Sequence, residues 1–181
     1  INTIFSIHFA PFIPKDKNRS ILIVGLGNDH ATPDALGPAV IDNILATRHI
    51  LLYAPEAIDK AMRSVCTLAP GVLGSNGIET AEIIRGVCAH VKPCCIIAID
   101  ALSAASVSRI GSTIQITNTG ISPGSGVGNR RADISSKTMG VPVVAIGVPT
   151  VVHGAVIVNE AMQILKRNLA EQENIPAEAI E

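Results

Sequence analysis

The stretch Ile21–Pro38, ILIVGLGNDHATPDALGP, decides the fold, because it passes from a buried strand through a tight turn to the start of a helix. Four consecutive apolar residues, Ile21–Val24, indicate a strand that is covered on both faces. The turn Gly25–Asn28 follows, and then a polar loop that contains Asp34. Pro38 can open the next helix, since a proline at the first helical position lacks only an N–H that would be unpaired. The pattern therefore places the Asp34 carboxylate at the carboxyl end of a central strand, where open α/β sheets bind their ligands.

The composition of the 181 residues suits one globular α/β domain. Hydrophobic residues make up 48% and aromatic residues 2%, so the core must be aliphatic, as in parallel sheets that helices cover. A net charge of −1 argues against a dedicated nucleic-acid-binding protein, and no apolar run reaches the roughly 20 residues of a membrane span. We therefore expect neither nucleic acid nor a membrane as a partner. Four cysteines without a Cys-x-x-Cys pair indicate buried, reduced thiols and an intracellular protein.

Two more strands are expected where an apolar run precedes a polar or glycine-containing loop, over Cys94–Ile99 and over Pro142–Gly147. Helical stretches separate the three strands, so right-handed crossovers and a mostly parallel sheet are the economical solution. The sequence thus predicts an α/β fold, a three-layer αβα sandwich of the phosphorylase/hydrolase-like type. The polar positions that would share one edge of its sheet are Asn28, Asp34, Asp100 and 148–153.

The domain boundaries follow from prolines and charge. Residues 1–20 are expected to form an irregular lead-in, since two prolines and a charged run oppose regular structure. A single α/β domain is predicted over 21–173, followed by a polar tail at 174–181. Within the domain, we predict one helix from Pro38 to about His49 and a short strand at Ile50–Tyr53. A second helix is predicted to begin at a capping box formed by Asn76 and Glu79 and to end at about Val91. The last helix is predicted from Thr150 to about Gln172.

Asp34 and Asp100 carry the candidate chemistry. Two carboxylates close in space do not both ionise readily, so one would hold a proton as an acid while the other acts as a base on water. The same pair with His153 is an alternative site for a divalent metal that activates the water. A structural role is the third alternative, with Asp34 as a turn or capping residue and Asp100 bonded to the backbone after its strand. Composition and spacing leave these alternatives open.

Nucleotide-binding and serine-nucleophile motifs are incomplete. The turn Gly25–Asn28 lacks the third glycine of a dinucleotide fingerprint. The glycine-rich loop Gly124–Gly128 is not followed by the Gly-Lys-Ser/Thr of a P-loop, and Ser125 lacks the spacing of a nucleophile elbow. Because long loops in compact domains are often functional, this loop and Asn28 either shape a substrate cleft or only satisfy their turns.

Several long motifs, in the same order along about residues 21–152, resemble the spore germination protease (GPR endopeptidase) family. These motifs are VGLGN (24–28), TPDALGP (32–38), TRH (47–49), APGVLGSNGIET (69–80), AIDAL (98–102), TIQITNTGISPGSGVGN (113–129) and VPVVAIGVPTVV (141–152). The resemblance implies an endopeptidase that degrades the small acid-soluble proteins coating DNA in dormant bacterial spores. It also implies a zymogen, a homotetrameric active form and a cytoplasmic location in the forespore or spore core.

The same resemblance implies an atypical aspartic peptidase without a cofactor, whose two essential aspartates are Asp34 and Asp100. The implied fold is that of the hydrogenase-maturation peptidases, which hold a metal at the same sheet edge. This chain departs from the family pattern at His153, where an aspartate is expected, and family members are expected to be longer at both ends. Residues expected to support the site or bind substrate are Asn28, Glu79 (as a helix cap), Ser125, Gly126 and His153.

Three alternative functions remain from the sequence. A peptidyl-tRNA hydrolase has a similar Gly-Leu-Gly-Asn turn and Thr-Arg-His motif. Its Asn and His are, however, closer in sequence than Asn28 and His49 are here. The low basic charge of this chain also does not suit tRNA binding. A degenerate paralogue would bind small spore proteins without cutting them. A metal-dependent peptidase of the hydrogenase-maturation type would use His153 as a ligand.

Overall fold

A computed structural model describes residues 2–59, 62–124 and 131–173 of the chain. Within these ranges, five strands form one sheet in the order β2-β1-β3-β5-β4. The strands are β1 (Ile21–Gly25), β2 (Val65–Leu68), β3 (Cys95–Ala104), β4 (Gln115–Thr117) and β5 (Val143–Val152). β1 pairs in parallel with β2 and β3, β3 pairs in parallel with β5, and only β4 runs antiparallel to its neighbour among these strands. The predicted mostly parallel sheet is confirmed.

Helices and 3₁₀ turns connect the strands. The α-helices of the described ranges are α1 (Asn2–Phe9), α2 (Leu36–Ile41), α3 (Arg48–Tyr53), α4 (Leu73–Asn76), α5 (Thr80–Val91), α6 (Ser136–Met139) and α7 (Gly154–Glu173). The 3₁₀ turns are Ala10–Phe12, Thr32–Asp34, Pro55–Ala57 and Val107–Arg109. None of the helices in the described residues has the length and apolarity needed to cross a bilayer.

Different helices cover the two faces of the sheet, and this arrangement produces the three layers. Along β1, Leu22 and Val24 point to one face and Ile21 and Ile23 to the other, as the two-residue period of a strand requires. The first face packs against α5 and α6 through Ala81, Ile84, Cys88 and Met139. The second face packs against α1 and α2 through Phe5, Phe9, Leu36 and Val40. The α/β three-layer prediction is therefore confirmed.

The N-terminal segment differs from the irregular lead-in predicted for 1–20, because α1 forms there. Phe5 and Phe9 lie one helical turn apart, stack with ring centroids 5.2 Å apart, and pack against the sheet. Pro11 and Pro14 come after α1 rather than inside it. They end the helix, since proline cannot continue it, but they do not prevent it from forming.

The single helix predicted over Pro38–His49 is instead two short helices, α2 and α3, and the strand predicted at Ile50–Tyr53 is part of α3. Thr47 accounts for the interruption, since it is 5% exposed and its hydroxyl bonds to the chain beside and within β2. The hydroxyl donates to the Arg63 carbonyl at 2.5 Å and accepts from the Val65 N–H at 2.9 Å. These long-range bonds fix the backbone at Thr47 beside β2, and this position is incompatible with a continuous helix from α2 to α3.

The capping box predicted from Asn76 and Glu79 is wrong. Asn76 is the last residue of α4, and its side chain is committed to its own loop, donating to the Pro70 carbonyl and accepting from the Ile78 N–H. Glu79 does occupy the N-cap position of α5, but its carboxylate makes no capping bond. That carboxylate pairs instead with Arg131, 3.5 Å away.

β3 and β5 extend well beyond the predicted Cys94–Ile99 and Pro142–Gly147. Asp100 therefore lies inside β3, opposite Gly147 of β5, rather than in a loop after the strand. Thr150 likewise belongs to β5 and does not cap the last helix, which begins at Gly154. The polar residues are tolerated in these strands because the carboxyl ends of β3 and β5 border an open cleft.

Candidate active site

The strand order creates a cleft at the carboxyl ends of the central strands. From β1 the chain crosses to β2 on one side, and from β2 it crosses back to β3 on the other side of β1. The α2 connection covers one face and the α5 connection the other, so the two loops diverge between β1 and β3. Such topological switch points are where α/β sheets form ligand sites. A cleft of about 670 Å³ lies there, and its lining includes Asn28, Asp34, Asp100, Arg131 and Thr150.

Asp34 is held by the tight loop that follows β1. Its N–H donates to the Ala31 carbonyl at 2.7 Å, and its carbonyl accepts from the Asn28 N–H at 3.1 Å. Gly27 makes this closure possible because its φ is +111° and a Cβ there would overlap the Asp34 carbonyl oxygen. The same Cβ would lie 3.2 Å from the carboxyl carbon of Asp34. The glycine turn therefore sets the place of this carboxylate.

The helix after the loop is pressed against the end of β1 by two further glycines. A Cβ on Gly37 would lie 2.7 Å from the Gly25 carbonyl carbon, and a Cβ on Gly25 would lie 2.5 Å from the Gly37 carbonyl carbon. Real Cβ atoms do not approach backbone so closely, so both positions require glycine. This backbone-to-backbone contact between β1 and α2 keeps the intervening loop short and curled over the strand end.

Asn28 both closes the loop and lines the cleft. Its side-chain oxygen accepts from the His30 N–H at 3.0 Å, and its carbonyl accepts from the Ala31 N–H at 3.1 Å. It also belongs to the wall of the cleft beside Asp34. Asn28 therefore satisfies its turn and also lies in the cleft wall, and its role toward a substrate stays a prediction.

Asp100 is the more deeply buried member of the carboxylate pair, at 5% exposed. Burial and, as the smaller cause, the negative charge of Asp34 together raise its pKa to about 7, against the opposing effect of the Ala101 N–H, which donates to its carboxylate at 2.9 Å. Burial also raises the pKa of Asp34, against the effect of the Asn28 backbone N–H. Near neutral pH, Asp100 is therefore the carboxyl group of the pair that retains a proton.

Arg131 adds a positive charge to the cleft. Its guanidinium lies 3.5 Å from the Glu79 carboxylate, and both side chains are partly exposed. Arg131 lines the cleft, whereas Glu79 is not among the residues that line it. Glu79 is therefore the partner of a cleft arginine, rather than a cap or a third acid. Sequence reasoning missed Arg131, Ser103 and Gln115 as cleft residues, whereas Thr150 belongs to the stretch 148–153 that it placed at this edge of the sheet.

His153 is not among the residues that line the cleft. It directly precedes α7, and its carbonyl accepts from the Val156 N–H at 2.9 Å. Across the described residues, no group of three His, Cys, Asp or Glu side chains is arranged to hold a metal ion. Asp34 and Asp100 offer two ligands where catalytic zinc sites have three from the protein. The predicted donor set with His153 is therefore not assembled. Ser125 and Gly126 lie outside the described residues.

Comparison with known proteins gives consistent matches. A family model described as germination protease matches residues 1–178. A germination protease of Clostridium acetobutylicum is 52% identical over 168 residues, which cover 91% of this chain and 51% of that protein. A germination protease of Caldanaerobacter subterraneus is 55% identical over 156 residues (86% and 48%), and that of Bacillus subtilis is 46% identical over 185 residues (99% and 50%). The chain thus spans about half the length of these curated relatives.

A solved structure is also similar. The NiFe hydrogenase maturation protease HycI of Thermococcus kodakarensis matches with a TM-score of 0.49 at 20% identity, over 84% of this chain and 88% of that one.

Proposed function

The chain belongs to the germination protease family, and on this premise we propose that it carries the peptide-hydrolysing site of an endopeptidase, with Asp34 and Asp100 as its acid–base pair. One observation supports this assignment most directly. Asp100 is a buried carboxyl group with a pKa of about 7. It shares an open cleft with Asp34, whose negative charge contributes to that raised pKa. Titratable groups with such environments are candidates for acid–base catalysis.

The proposed reaction uses one ionised and one protonated carboxyl group. The Asp34 carboxylate accepts a proton from a water molecule, whose oxygen attacks the carbonyl carbon of the peptide bond. Asp100 donates its proton to the carbonyl oxygen, which yields a neutral tetrahedral diol. On collapse, protonated Asp34 donates its proton to the leaving nitrogen, and Asp100 recovers a proton from the diol hydroxyl. One water is consumed, and both carboxyl groups return to their starting states.

The proposed substrates are the small acid-soluble proteins of bacterial spores, and the proposed active form is a homotetramer made from a zymogen in the forespore or spore core. The family membership supports the link to spore germination. An open cleft suits a polypeptide substrate, because loops after β1, β2 and β4 line it and leave its mouth accessible. No cofactor is included in the proposal.

A cleavage assay on a purified small acid-soluble spore protein tests the pair. We expect Asp34→Asn and Asp100→Asn each to lower kcat/KM by about 10²–10⁴-fold, the contribution typical of general acid–base groups. Asp29→Asn is the matched control, since Asp29 is an exposed carboxylate in the same loop and does not line the cleft. Full activity in either of the first two variants would overturn the assignment. The assay is run on the 181-residue chain and on a full-length relative carrying the same substitutions.

The same assay with a chelator separates the two ways of activating water. We expect cleavage to survive chelation, because the described residues offer only two carboxylates in the cleft and no third metal-binding side chain with them. Activity that is lost on chelation and restored by zinc or nickel would contradict the metal-free pair.

A further inference from the structure

The pairing of β3 with β5 is interrupted beside the cleft. Leu102 lies opposite Pro149, but the next residue of β3, Ser103, lies opposite Val151. Thr150 is therefore an extra residue on β5, a β-bulge. Bulges bend a strand and re-aim a side chain, and they occur frequently next to active sites.

The bulged residue reaches the loop that carries Asp34. The Thr150 hydroxyl donates to the Pro33 carbonyl at 2.6 Å, across 117 positions of sequence. This carbonyl belongs to the peptide group that joins Pro33 to Asp34. The N–H of the same peptide group donates to the Ala31 carbonyl at 2.7 Å. The peptide plane in front of Asp34 is thus held at both of its polar ends.

The bond also crosses the site. Thr150 lies on β5, and β5 is the hydrogen-bonded neighbour of β3, which carries Asp100. Asp34 lies on the loop after β1, the neighbour of β3 on its other side. The hydroxyl therefore ties the loop of one carboxyl group to the strand beside the other, and Thr150 itself lines the cleft between them.

We propose that Thr150 is a positioning residue, which holds the loop carrying Asp34 so that its carboxylate faces Asp100. This role rests on the proposed function of the pair, but the geometric tie is independent of whether the pair cleaves peptides. Without the hydroxyl, the Pro33–Asp34 peptide group loses one of its two fixed ends, and the Asp34 carboxylate is free to move away from Asp100.

The consequence is measurable without any activity. The negative charge of Asp34 raises the pKa of Asp100, and this effect weakens as the two groups separate. We therefore expect Thr150→Val, which keeps the shape of the side chain but lacks the hydroxyl, to lower the titration midpoint of Asp100. A residue that only stabilises the fold would leave the midpoint unchanged.

The experiment is a carbon-13 NMR titration of aspartate carboxyl groups in the complete 181-residue chain. We expect Thr150→Val to lower the Asp100 midpoint by about half a pH unit or more, and Thr150→Ser, which retains a hydroxyl, to restore it. Thr113→Val is the matched control, because the Thr113 hydroxyl donates to the nearby Arg109 carbonyl at 3.4 Å and Thr113 does not line the cleft. Thr150→Ala repeats the test in case the branched side chain disturbs the bulge.

An unchanged Asp100 midpoint in both Thr150→Val and Thr150→Ala would overturn the proposal. In the cleavage assay, Thr150→Val should lower kcat by about tenfold with KM nearly unchanged, because the hydroxyl orients a reacting group and does not bind substrate. A lowered Asp100 midpoint in Thr150→Val together with full cleavage by Asp34→Asn would separate the two proposals. Thr150 would then position Asp34 as stated, and the catalytic role proposed for the pair would be wrong.

Discussion

Asp100 shows how much the environment of one residue can change its chemistry. In an exposed loop this carboxyl group would be ionised at neutral pH, with an ordinary pKa of 3.8. Inside β3 it is 5% exposed, and the Ala101 N–H donates to its carboxylate and stabilises its charge. Asp34 adds like-charge repulsion. The two carboxyl groups therefore differ in how readily they ionise, because they differ in burial.

At this scale, the pH dependence of stability is a prediction. Since the pKa of Asp100 is about 7 in the folded protein and 3.8 ordinarily, the folded protein binds more protons than the unfolded chain between these values. Its free energy of unfolding therefore falls as the pH rises from 4 to 7, by up to about 1.4 kcal/mol per pH unit. Asparagine cannot ionise, so we expect Asp100→Asn to lose this slope and to be the more stable protein at pH 8.

Thermal unfolding of both proteins at pH 5 and pH 8 measures this difference. Asp29→Asn should retain the slope of the unmodified protein, because Asp29 is an exposed carboxylate. Parallel pH profiles for the Asp100→Asn variant and the unmodified protein would show that the Asp100 carboxyl group is not buried as described.

The two longest helices of the described residues, α5 and α7, both carry an apolar stripe, but only the stripe of α5 is buried against the sheet. In α5, the apolar side chains Ala81, Ile84 and Cys88 are buried against the sheet. In α7, the half-buried Glu160 faces the rest of the chain, and its carboxylate accepts from the Val107 N–H at 3.3 Å. The apolar stripe of α7, spaced three and four residues apart, is exposed; it consists of Val158 (59%), Met162 (55%), Leu165 (58%) and Leu169 (43%). The same periodicity therefore marks a core face in α5 and an exposed face in α7.

This contrast gives a prediction at the scale of elements. We expect Ile84→Ala to lower the free energy of unfolding by about 2–5 kcal/mol, since Ile84 is fully buried and its truncation leaves a cavity. Leu165→Gln should change it by no more than about 0.5 kcal/mol, since more than half of the Leu165 side chain already contacts solvent. Urea titration of the 181-residue chain compares the two variants. A large loss in Leu165→Gln would mean that the stripe is covered by the chain itself.

At the scale of the whole molecule, the order of the strands determines the site. Asp34 and Asp100 come together because β1 and β3 are neighbours in the sheet, although β2 lies between them in sequence. The connections of β1 and β2 pass over opposite faces, and the cleft opens where they diverge. A different order of the same strands would separate the two carboxyl groups while leaving each element intact.

The proposed function predicts how the rate of cleavage depends on pH. Cleavage requires Asp100 protonated and Asp34 ionised, so kcat/KM should fall about tenfold per pH unit above the Asp100 pKa of about 7. On the acid side, it should fall as Asp34 becomes protonated, at a pH above the ordinary range for aspartate because burial raises the pKa of Asp34. Initial rates on a small acid-soluble spore protein between pH 4 and pH 9 provide the test. Rates that still rise above pH 8 would be incompatible with a protonated Asp100.

The sequence by itself determined the buried parts of β1, β3 and β5, the fold class and the edge of the sheet at which the candidate site lies. Runs such as Ile21–Val24 indicate burial on both faces, and the helical stretches between them require parallel pairing. The glycines of the first turn and Asp34 after it belong to one short stretch of sequence, so the turn and the position of Asp34 at the end of β1 can be predicted from that stretch alone. The family motifs lie in these same segments, and the family match agrees with them.

Only the tertiary structure decided which polar side chains share the cleft. Thr47 bonds across 16 and 18 positions to Arg63 and Val65 and so interrupts a predicted helix. Arg131 of the cleft pairs with Glu79, which is distant from it in sequence, and Thr150 bonds to Pro33 across 117 positions. The physical reason is the same in each case. Periodicity and turn chemistry record interactions between near neighbours in sequence, whereas these bonds form between groups that only the packed sheet brings within reach.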